Sequence, residues 1–227
     1  MSNKVDFDDY TKNYNQLLKE GTIFFSSSEE YFAKYKVDLV RKQVHTSANR
    51  ILEFGCGIGR NIPFLQQAFP LAVIMGSDIS GASLEIARRD NTGAEFFRED
   101  ENVELTKLFD LIFVAGVFHH IPVAHRAGVA KTLFNRLSPG GQLFVFEHNP
   151  FNPITRRIVN NCPYDEDAVL LKPSELKRIL NESGLTIERN AYCLFVPPRL
   201  SVLARMESLL GWLPLGGQYW VQARRFI

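Results

Sequence analysis

The chain has 227 residues, of which 45% are hydrophobic and 22% are charged, a composition typical of a globular domain that buries a core. Its 26 lysines and arginines nearly balance 25 aspartates and glutamates, so the net charge of +1 favours neither nucleic acid nor another polyanion as a partner. The 3 cysteines, Cys56, Cys162 and Cys193, lack paired or metal-type spacing, which argues against a disulfide framework and predicts no metal site.

The N-terminal residues, MSNKVDFDDYTKNYN, include no hydrophobic segment of the kind that directs secretion. No uninterrupted apolar run of about 18 residues, the length that a membrane-spanning helix needs, occurs in the sequence. We therefore expect a cytoplasmic protein without stable membrane insertion, and a single domain over residues 1–227.

Residues 1–47 are predicted to form a helical cap. Serines at 26–28 precede Glu29 and Glu30 at the spacing of a capping box, which marks the start of a helix. Apolar residues then recur at helical intervals, and these are Phe32, Tyr35, Leu39, Val40 and Val44. This apolar stripe predicts a helix that packs against the rest of the domain.

From Arg50 onward, short apolar runs alternate with helical patterns. The predicted strands are Arg50–Phe54, Ala72–Asp78, Ala94–Arg98, Phe109–Ala115, Gln142–Glu147, Leu185–Phe195 and Gln218–Phe226. Ser80 is placed to cap a helix over Gly81–Asp90, and the Ser-Pro-Gly-Gly sequence at 138–141 is expected to end the helix before the fifth strand. Apolar strands that alternate with helices predict an α/β fold with a doubly wound, mostly parallel sheet that is covered on both faces.

Two segments interrupt the alternation and are predicted to be cap inserts. Residues 149–172 are polar, contain several prolines and show no clear period, which in a compact domain often indicates function. Residues 197–217 carry apolar residues on one helical face, namely Leu203, Met206, Leu210 and Leu213. This second insert has three interpretations, which are packing onto the sheet, a lid over an apolar ligand, and contact with a membrane surface.

The stretch LEFGCGIGR at 52–60 places Gly55, Gly57 and Gly59 directly after an apolar strand. Glycines let the backbone approach a ligand closely, and the N-terminus of the next helix supplies unpaired N–H groups, so this arrangement indicates a nucleotide site. The dinucleotide fingerprint would place its third glycine at position 60, where this chain has Arg60. The turn alone therefore leaves the class of nucleotide open.

Two acids near the turn narrow the choice of ligand. Glu53 lies two residues before the first glycine, where it would repel a pyrophosphate and attract a cationic group. Asp78 ends the second predicted strand and is placed to accept hydrogen bonds from ribose hydroxyls. An acid has this role in dinucleotide sites and in other nucleoside sites alike. The pattern favours a nucleoside that carries a positively charged group.

Several stretches of the sequence together resemble the class I S-adenosylmethionine-dependent methyltransferases. They are ILEFGCGIGR, MGSDIS, AEFFRED, FDLIFVAGVFHHI and LSPGGQLFVFE, and they occur at the intervals expected for that family. The resemblance runs from about Arg50 to the C-terminus. It implies a seven-stranded sheet whose last strand is antiparallel, with S-adenosyl-L-methionine as cofactor and S-adenosyl-L-homocysteine as its product.

The resemblance also implies which residues hold the methionine end of the cofactor. Glu53 would face the ammonium group, and the turn through Gly55, Cys56 and Gly57 would hold the methionine moiety. The carbonyl oxygen of Ala115, at the end of the fourth strand, would contact the same moiety. For the glycines, the alternative is a tight turn without a ligand.

At the adenosine end, the resemblance implies that Asp78 binds the ribose, Ile79 packs on the adenine and Asp100 lies near the adenine amino group. Asp100 has an alternative as a solvated acid in a charged loop, because Glu99 stands where many relatives carry glycine. Tyr14 is the N-terminal tyrosine that we predict to cover the cofactor, with packing as its alternative.

Three histidines are candidates for catalysis. His119 and His120 follow the fourth strand and His148 follows the fifth, at the carboxyl ends where open α/β sheets bind ligands. We predict that His148 acts as a general base or orients the acceptor, with bracing of its loop as the alternative. For His119 and His120, direct base catalysis competes with cofactor packing or loop bracing.

The sequence predicts transfer of a methyl group from S-adenosyl-L-methionine to a small-molecule acceptor, with oxygen favoured because histidines lie at the predicted cleft. Methylation of nitrogen or carbon, on a small molecule or a lipid-like acceptor, is the alternative. Two rival functions are a non-catalytic module that binds the cofactor and a nicotinamide oxidoreductase, the second opposed by Glu53 and Arg60. A monomer or a homodimer is expected.

Overall fold

In the part of the chain that the computed structural model describes, residues 29–44, 47–100, 108–196 and 207–226, seven strands form one sheet. The strands are β1 (Arg50–Phe54), β2 (Val73–Asp78), β3 (Glu95–Arg98), β4 (Phe109–Ala115), β5 (Leu137–His148), β6 (Thr186–Cys193) and β7 (Gln218–Arg224). Their order across the sheet is β3-β2-β1-β4-β5-β7-β6. The pairs from β3 to β5 are parallel, and β7 runs antiparallel to β5 and β6. The predicted mostly parallel sheet with an antiparallel last strand is confirmed.

Helices flank this sheet. The described α-helices are α1 (Glu29–Gln43), α2 (Ile62–Ala68), α3 (Gly81–Asp90), α4 (Arg126–Arg136), α5 (Pro153–Asn160), α6 (Pro173–Glu182) and α7 (Glu207–Leu210). Short 3-10 turns occupy Phe118–His120, Val123–His125 and Pro163–Asp165. The Ser80 hydroxyl oxygen accepts a hydrogen bond from the Ser83 N–H at 3.0 Å, so the predicted cap of α3 is confirmed. None of the described helices combines the length and the apolar character needed to cross a membrane.

The core has two layers, because successive side chains of a strand point to opposite faces of the sheet. On one face, Leu52 and Val145 belong to a buried cluster that includes residues of α4 and α6. On the other face, Ile51 and Phe113 belong to a cluster that includes residues of α1 and α2. The central strands are therefore buried on both faces, which explains their nearly continuous apolar sequences.

The Ser-Pro-Gly-Gly sequence at 138–141 lies inside β5, so the expectation that it ends the preceding helix was wrong. α4 already ends at Arg136, and β5 begins with the next residue. The Gly140 N–H donates a hydrogen bond of 2.7 Å to the Arg225 carbonyl oxygen. This contact with the residue that follows β7 draws the turn-like sequence into the sheet.

The segment 149–172 is more regular than its sequence indicated, because it contains α5 and a 3-10 turn. The side-chain oxygen of Asn152 caps α5 by accepting hydrogen bonds from the N–H groups of Ile154 (2.8 Å) and Thr155 (3.1 Å). Pro153 begins the helix, a position that proline favours. A helix of only two turns is too short for a recognisable apolar period.

α1 is the described part of the predicted N-terminal cap. Its buried Val37 and Val40 lie in the core cluster that also contains β1 and β4 residues, in agreement with the apolar stripe of the sequence. Residues 1–28, with Tyr14 among them, and residues 197–206 lie outside the described residues. The assignment of Tyr14 therefore stays a prediction.

Arg126, at the start of α4, is 1% exposed and connects this helix to the segment before α6. Its guanidinium donates hydrogen bonds to the carbonyl oxygens of Ile121 (3.0 Å) and Val169 (2.6 Å) and to the Glu175 carboxylate (3.1 Å). Arg126→Ala is expected to lower the free energy of unfolding by about 2–4 kcal/mol in urea titrations, because three hydrogen bonds and a buried side chain are lost. Arg157→Ala, on the exposed side of α5, is the control with an expected change below about 0.5 kcal/mol. Equal losses in the two variants would contradict this role of Arg126.

Candidate active site

The glycine turn follows β1 and adopts a backbone conformation that favours glycine. The φ angles of Gly55, Gly57 and Gly59 are 70°, 53° and 78°, all in the left-handed region. A Cβ atom at Gly55 would lie 2.4 Å from Val117 Cγ2, and one at Gly59 would lie 2.6 Å from Asn91 Nδ2. A Cβ at Gly57 would meet nothing within 4 Å. A side chain at Gly55 or Gly59 would therefore displace a neighbouring side chain, whereas Gly57 faces open space.

Asp78, at the end of β2, is hydrogen-bonded to the glycine turn. Its Oδ2 accepts a hydrogen bond from the Gly57 N–H at 2.7 Å, and its Oδ1 accepts one from the Ser80 N–H at 2.9 Å. Burial raises the pKa of this carboxyl group, and the backbone hydrogen bonds oppose that rise. The next side chain, Ile79, is 49% exposed. Asp78 therefore braces the turn, and an apolar surface lies beside it.

Glu53 is an almost fully buried carboxylate on β1, with 1% of its surface exposed. Its Oε1 accepts a hydrogen bond of 2.6 Å from Asn61 Nδ2, at the start of α2. Its Oε2 has no hydrogen-bond partner among the described residues. Burial raises the pKa of Glu53 to about 8, although Asn61 and the Lys36 ammonium lower it. A buried acceptor without a partner suits a cationic or hydrogen-bond-donating ligand group.

Cys56 lies within the glycine turn and is buried. Its N–H donates a hydrogen bond of 2.9 Å to the Ser77 carbonyl oxygen, which joins the turn to β2. Burial raises the pKa of its thiol well above the ordinary range, so the thiol stays protonated and unreactive. Cys56 can contribute its backbone and its packing to a ligand site.

Asp100 and Ala115 lie at the ends of β3 and β4. The Asp100 carboxylate is 57% exposed and pairs with Arg98 Nε at 2.8 Å. Its neighbour Glu99 instead forms a two-point ion pair with Arg136, with N–O distances of 2.8 and 3.0 Å. Ala115 pairs in register with Phe146 of β5. Asp100 and Ala115 both lie at the carboxyl edge of the sheet, where ligands bind in this class of fold.

The three predicted histidines lie together. The ring centroid of His119 lies 4.1 Å from that of His120 and 4.9 Å from that of His148. Burial, together with the charge of His119, lowers the pKa of His148 to about 4. His148 is therefore a neutral imidazole at ordinary pH, and it can accept a proton or a hydrogen bond.

Glu147 organises this cluster, although sequence reasoning did not identify it as a functional residue. Its Oε2 lies 2.6 Å from His119 Nδ1, and its Oε1 accepts hydrogen bonds from the N–H groups of Val117 (3.0 Å) and Phe118 (2.8 Å). Burial alone would lower the pKa of His119, but the charges of Glu147 and Asp165 outweigh it and raise the pKa to about 9. The only sequence signal was an acid that ends an otherwise apolar strand.

Asp165 and Asp167 also reach the histidines, and both come from the segment 149–172. Asp165 Oδ1 lies 3.5 Å from His119 Nε2 and 3.4 Å from His120 Nε2. Asp167 Oδ1 lies 3.4 Å from His120 Nδ1. This insert therefore contributes two acids to the histidine cluster at the carboxyl ends of β4 and β5.

A protein-family model described as a methyltransferase domain matches residues 10–190 of the chain. Trans-aconitate 2-methyltransferase of Acidovorax sp. strain JS42 is 34% identical over 110 residues, which are 48% of this chain and 42% of that protein. The matched stretch is thus less than half the length of that relative.

Solved structures share the fold. An S-adenosylmethionine-dependent methyltransferase from Mesorhizobium loti aligns with a TM-score of 0.60 and 22% identity, over 83% of this chain and 96% of that one. Magnesium protoporphyrin IX methyltransferase from Synechocystis PCC 6803, with bound SAH, aligns with a TM-score of 0.64 and 15% identity, over 96% and 97% of the two chains. At these identities the likeness concerns the fold.

The family match covers most of the chain, and solved methyltransferase structures share its fold. The glycine turn and the acids on β1 and β2 stand where the family's motifs were recognised in the sequence. The chain belongs to the class I S-adenosylmethionine-dependent methyltransferases.

Proposed function

We propose that the chain transfers the methyl group of S-adenosyl-L-methionine to an oxygen atom of a small-molecule acceptor. The observation that carries this proposal is the group of histidines at the carboxyl ends of β4 and β5, with the neutral His148 beside His119. An alcohol or phenol acceptor must lose its proton as its oxygen attacks, so a nearby base accelerates the reaction, whereas an amine only needs to arrive unprotonated. A histidine-rich cleft therefore favours oxygen.

The residues at the ends of β1 and β2 fit the cofactor. The buried Glu53 Oε2 atom suits the ammonium group of the methionine moiety. The Asp78 carboxylate suits the ribose hydroxyls, and the half-exposed Ile79 suits the adenine face. The open space at Gly57 allows the backbone to approach the methionine moiety, with the Ala115 carbonyl at the neighbouring strand end.

When bound, S-adenosyl-L-methionine supplies a methyl carbon that is activated by its sulfonium group. The bond from the acceptor oxygen to this carbon would form as the carbon–sulfur bond breaks, with the electron pair of the broken bond left on sulfur. His148 would accept the acceptor proton on its neutral imidazole. The work of the chain is to align oxygen, carbon and sulfur and to keep water out of the cleft.

Incubation of the full chain with methyl-labelled S-adenosyl-L-methionine and a panel of alcohols, phenols, carboxylic acids and amines tests the proposal. Because one relative is named for trans-aconitate, that acid is included in the panel. We expect label on an oxygen of at least one acceptor, with one S-adenosyl-L-homocysteine formed per methyl group. Label confined to nitrogen or carbon would contradict the oxygen assignment, and binding without turnover on any acceptor would favour the non-catalytic module.

Cofactor binding is expected to strengthen by about 20-fold between about pH 6 and about pH 7.5. With its pKa raised to about 8 by burial, Glu53 is mostly protonated at the lower pH. The cofactor ammonium favours the ionised carboxylate, so binding must release this proton, and the cost of the release falls as pH rises towards the pKa. Calorimetry in buffers of different ionisation enthalpy measures both the affinity and the released proton.

Glu53→Gln is the matched variant for this pH dependence, since it keeps the shape and removes the titration. It is expected to bind the cofactor weakly, with an affinity that does not vary over the same interval. Asp78, whose pKa is also raised by burial, is still present in the variant, so the comparison separates the two acids. A wild-type affinity that is constant over the interval would refute the pairing of Glu53 with the ammonium.

A further inference from the structure

We propose that His119, His120 and Asp165 bind a divalent metal ion, and that zinc(II) is an ion that fits their donor set. The 3-10 turn after β4 carries the histidines, and the 3-10 turn Pro163–Asp165 carries the acid. Each residue offers a ligand atom, and these atoms lie within 4.8 Å of one another. Metal binding itself does not depend on methyl transfer, whereas a catalytic use of the metal rests on the proposed function.

Both histidines direct Nε2 at the same oxygen of Asp165. The distances to Oδ1 are 3.5 Å from His119 and 3.4 Å from His120, longer than the hydrogen-bond optimum of about 2.9 Å. Tetrahedral coordination with bonds of about 2.0–2.1 Å places neighbouring ligand atoms about 3.3 Å apart. These two N–O distances fit ligands of a shared metal ion, and all three ligand atoms lie within 4.8 Å of one another.

The other ring nitrogen of each histidine faces a carboxylate. His119 Nδ1 lies 2.6 Å from Glu147 Oε2, and His120 Nδ1 lies 3.4 Å from Asp167 Oδ1. Metal-binding histidines commonly place a carboxylate at the second nitrogen, which orients the ring and leaves the first nitrogen free for the metal. Both histidines share this arrangement, and both direct Nε2 at Asp165.

The negative charge of the cluster and the types of its donor atoms also favour a divalent metal ion. Three carboxylates, from Glu147, Asp165 and Asp167, surround two imidazoles, and each of these acids exposes at most 15% of its side chain. Buried carboxylates require a compensating charge, which a dication would supply. Two imidazoles and one carboxylate suit zinc(II) and leave a coordination position open, where an acceptor hydroxyl would lose its proton more readily.

Titration of the chelator-treated full chain with zinc(II) against a chromophoric chelator tests the site. We expect one equivalent to bind, and we expect His120→Ala and Asp165→Asn to weaken binding by at least about 100-fold. Asp167→Asn is expected to weaken binding by about 10–100-fold, as an orienting carboxylate does. His125→Ala removes an exposed histidine of a neighbouring turn and is the control with unchanged affinity.

Cobalt(II) gives a readout that requires no variant, because low-coordinate binding by two imidazoles and a carboxylate produces visible d–d bands that are much more intense than those of cobalt(II) in water. Absence of saturable zinc binding and of these bands would overturn the metal site, and so would equal zinc affinity in His120→Ala, Asp165→Asn and the wild type. In that case a proton on His119 balances the charge of the carboxylates instead.

Calorimetry with S-adenosyl-L-homocysteine on the same samples checks that the variants are folded. It also separates failure of the metal site from failure of the proposed function, because cofactor binding and turnover do not report on zinc affinity.

Discussion

Replacing His148 with alanine is expected to lower kcat for an oxygen acceptor by about 10²–10⁴-fold, the usual contribution of a positioned general base. His148 ends β5, where an acceptor would approach the methyl carbon, and its buried imidazole is neutral. Glu53 and Asp78, on other strands, carry the proposed cofactor contacts. The affinity for S-adenosyl-L-methionine is therefore expected to change by less than about threefold. Single-turnover kinetics and calorimetry measure the two quantities separately.

His125→Ala is the matched control, because His125 is an exposed histidine on the 3-10 turn before α4. Its turnover is expected to equal that of the wild type. Added imidazole distinguishes two roles of His148: restored turnover in His148→Ala indicates proton transfer, and a persistent loss indicates orientation of the acceptor. Wild-type turnover in His148→Ala without added imidazole would reject both roles.

Gly55→Ala is expected to weaken cofactor binding by at least about 100-fold and to lower the free energy of unfolding by about 2–4 kcal/mol. The φ angle of 70° disfavours any residue with a Cβ atom, and the added atom would lie 2.4 Å from Val117 Cγ2. The N–H of Val117 donates a hydrogen bond to Glu147, which holds its backbone in place, and its β-branched side chain has few alternative rotamers. The glycine turn must shift instead, and the shift displaces the backbone that is proposed to face the methionine moiety.

Gly140→Ala isolates the backbone strain from the steric overlap. Gly140 has a φ of 81°, but a Cβ there would meet nothing within 4 Å. It also lies near the start of β5, whereas the candidate site lies at the other end of that strand. We expect a loss of about 1–2 kcal/mol in stability and unchanged cofactor affinity. Equal effects of Gly55→Ala and Gly140→Ala on cofactor affinity would contradict the role of Gly55. Urea titration and calorimetry provide both values.

The geometry of the proposed cofactor site could be predicted from the sequence because its determinants are local. The turn from Gly55 to Gly59 follows a strand directly, and Asp78 ends the next strand, so strand order alone brings them together. Helix α3 could be predicted equally well, because Ser80 supplies a cap immediately before it. Each of these features depends on residues that are close in the sequence or on neighbouring parallel strands.

The acceptor side could be predicted only in part. His119 and His148 were recognised because both follow apolar strands. Asp165 and Asp167 were not recognised as their partners, because they belong to an insert whose path over the sheet no periodicity reveals. Glu147 was missed because a buried acid at a strand end has the same sequence signature as a solvated one. Long-range contacts of this kind depend on tertiary packing that local patterns do not encode.

The measurement that tests the account most directly is a crystal structure of the full chain with S-adenosyl-L-homocysteine. We expect the ligand amino group within about 3 Å of Glu53 Oε2 and the ribose hydroxyls on Asp78. The sulfur atom is expected to face the cleft that contains His148. A ligand bound away from the glycine turn, or one whose sulfur faces away from the histidines, would contradict the proposed transfer.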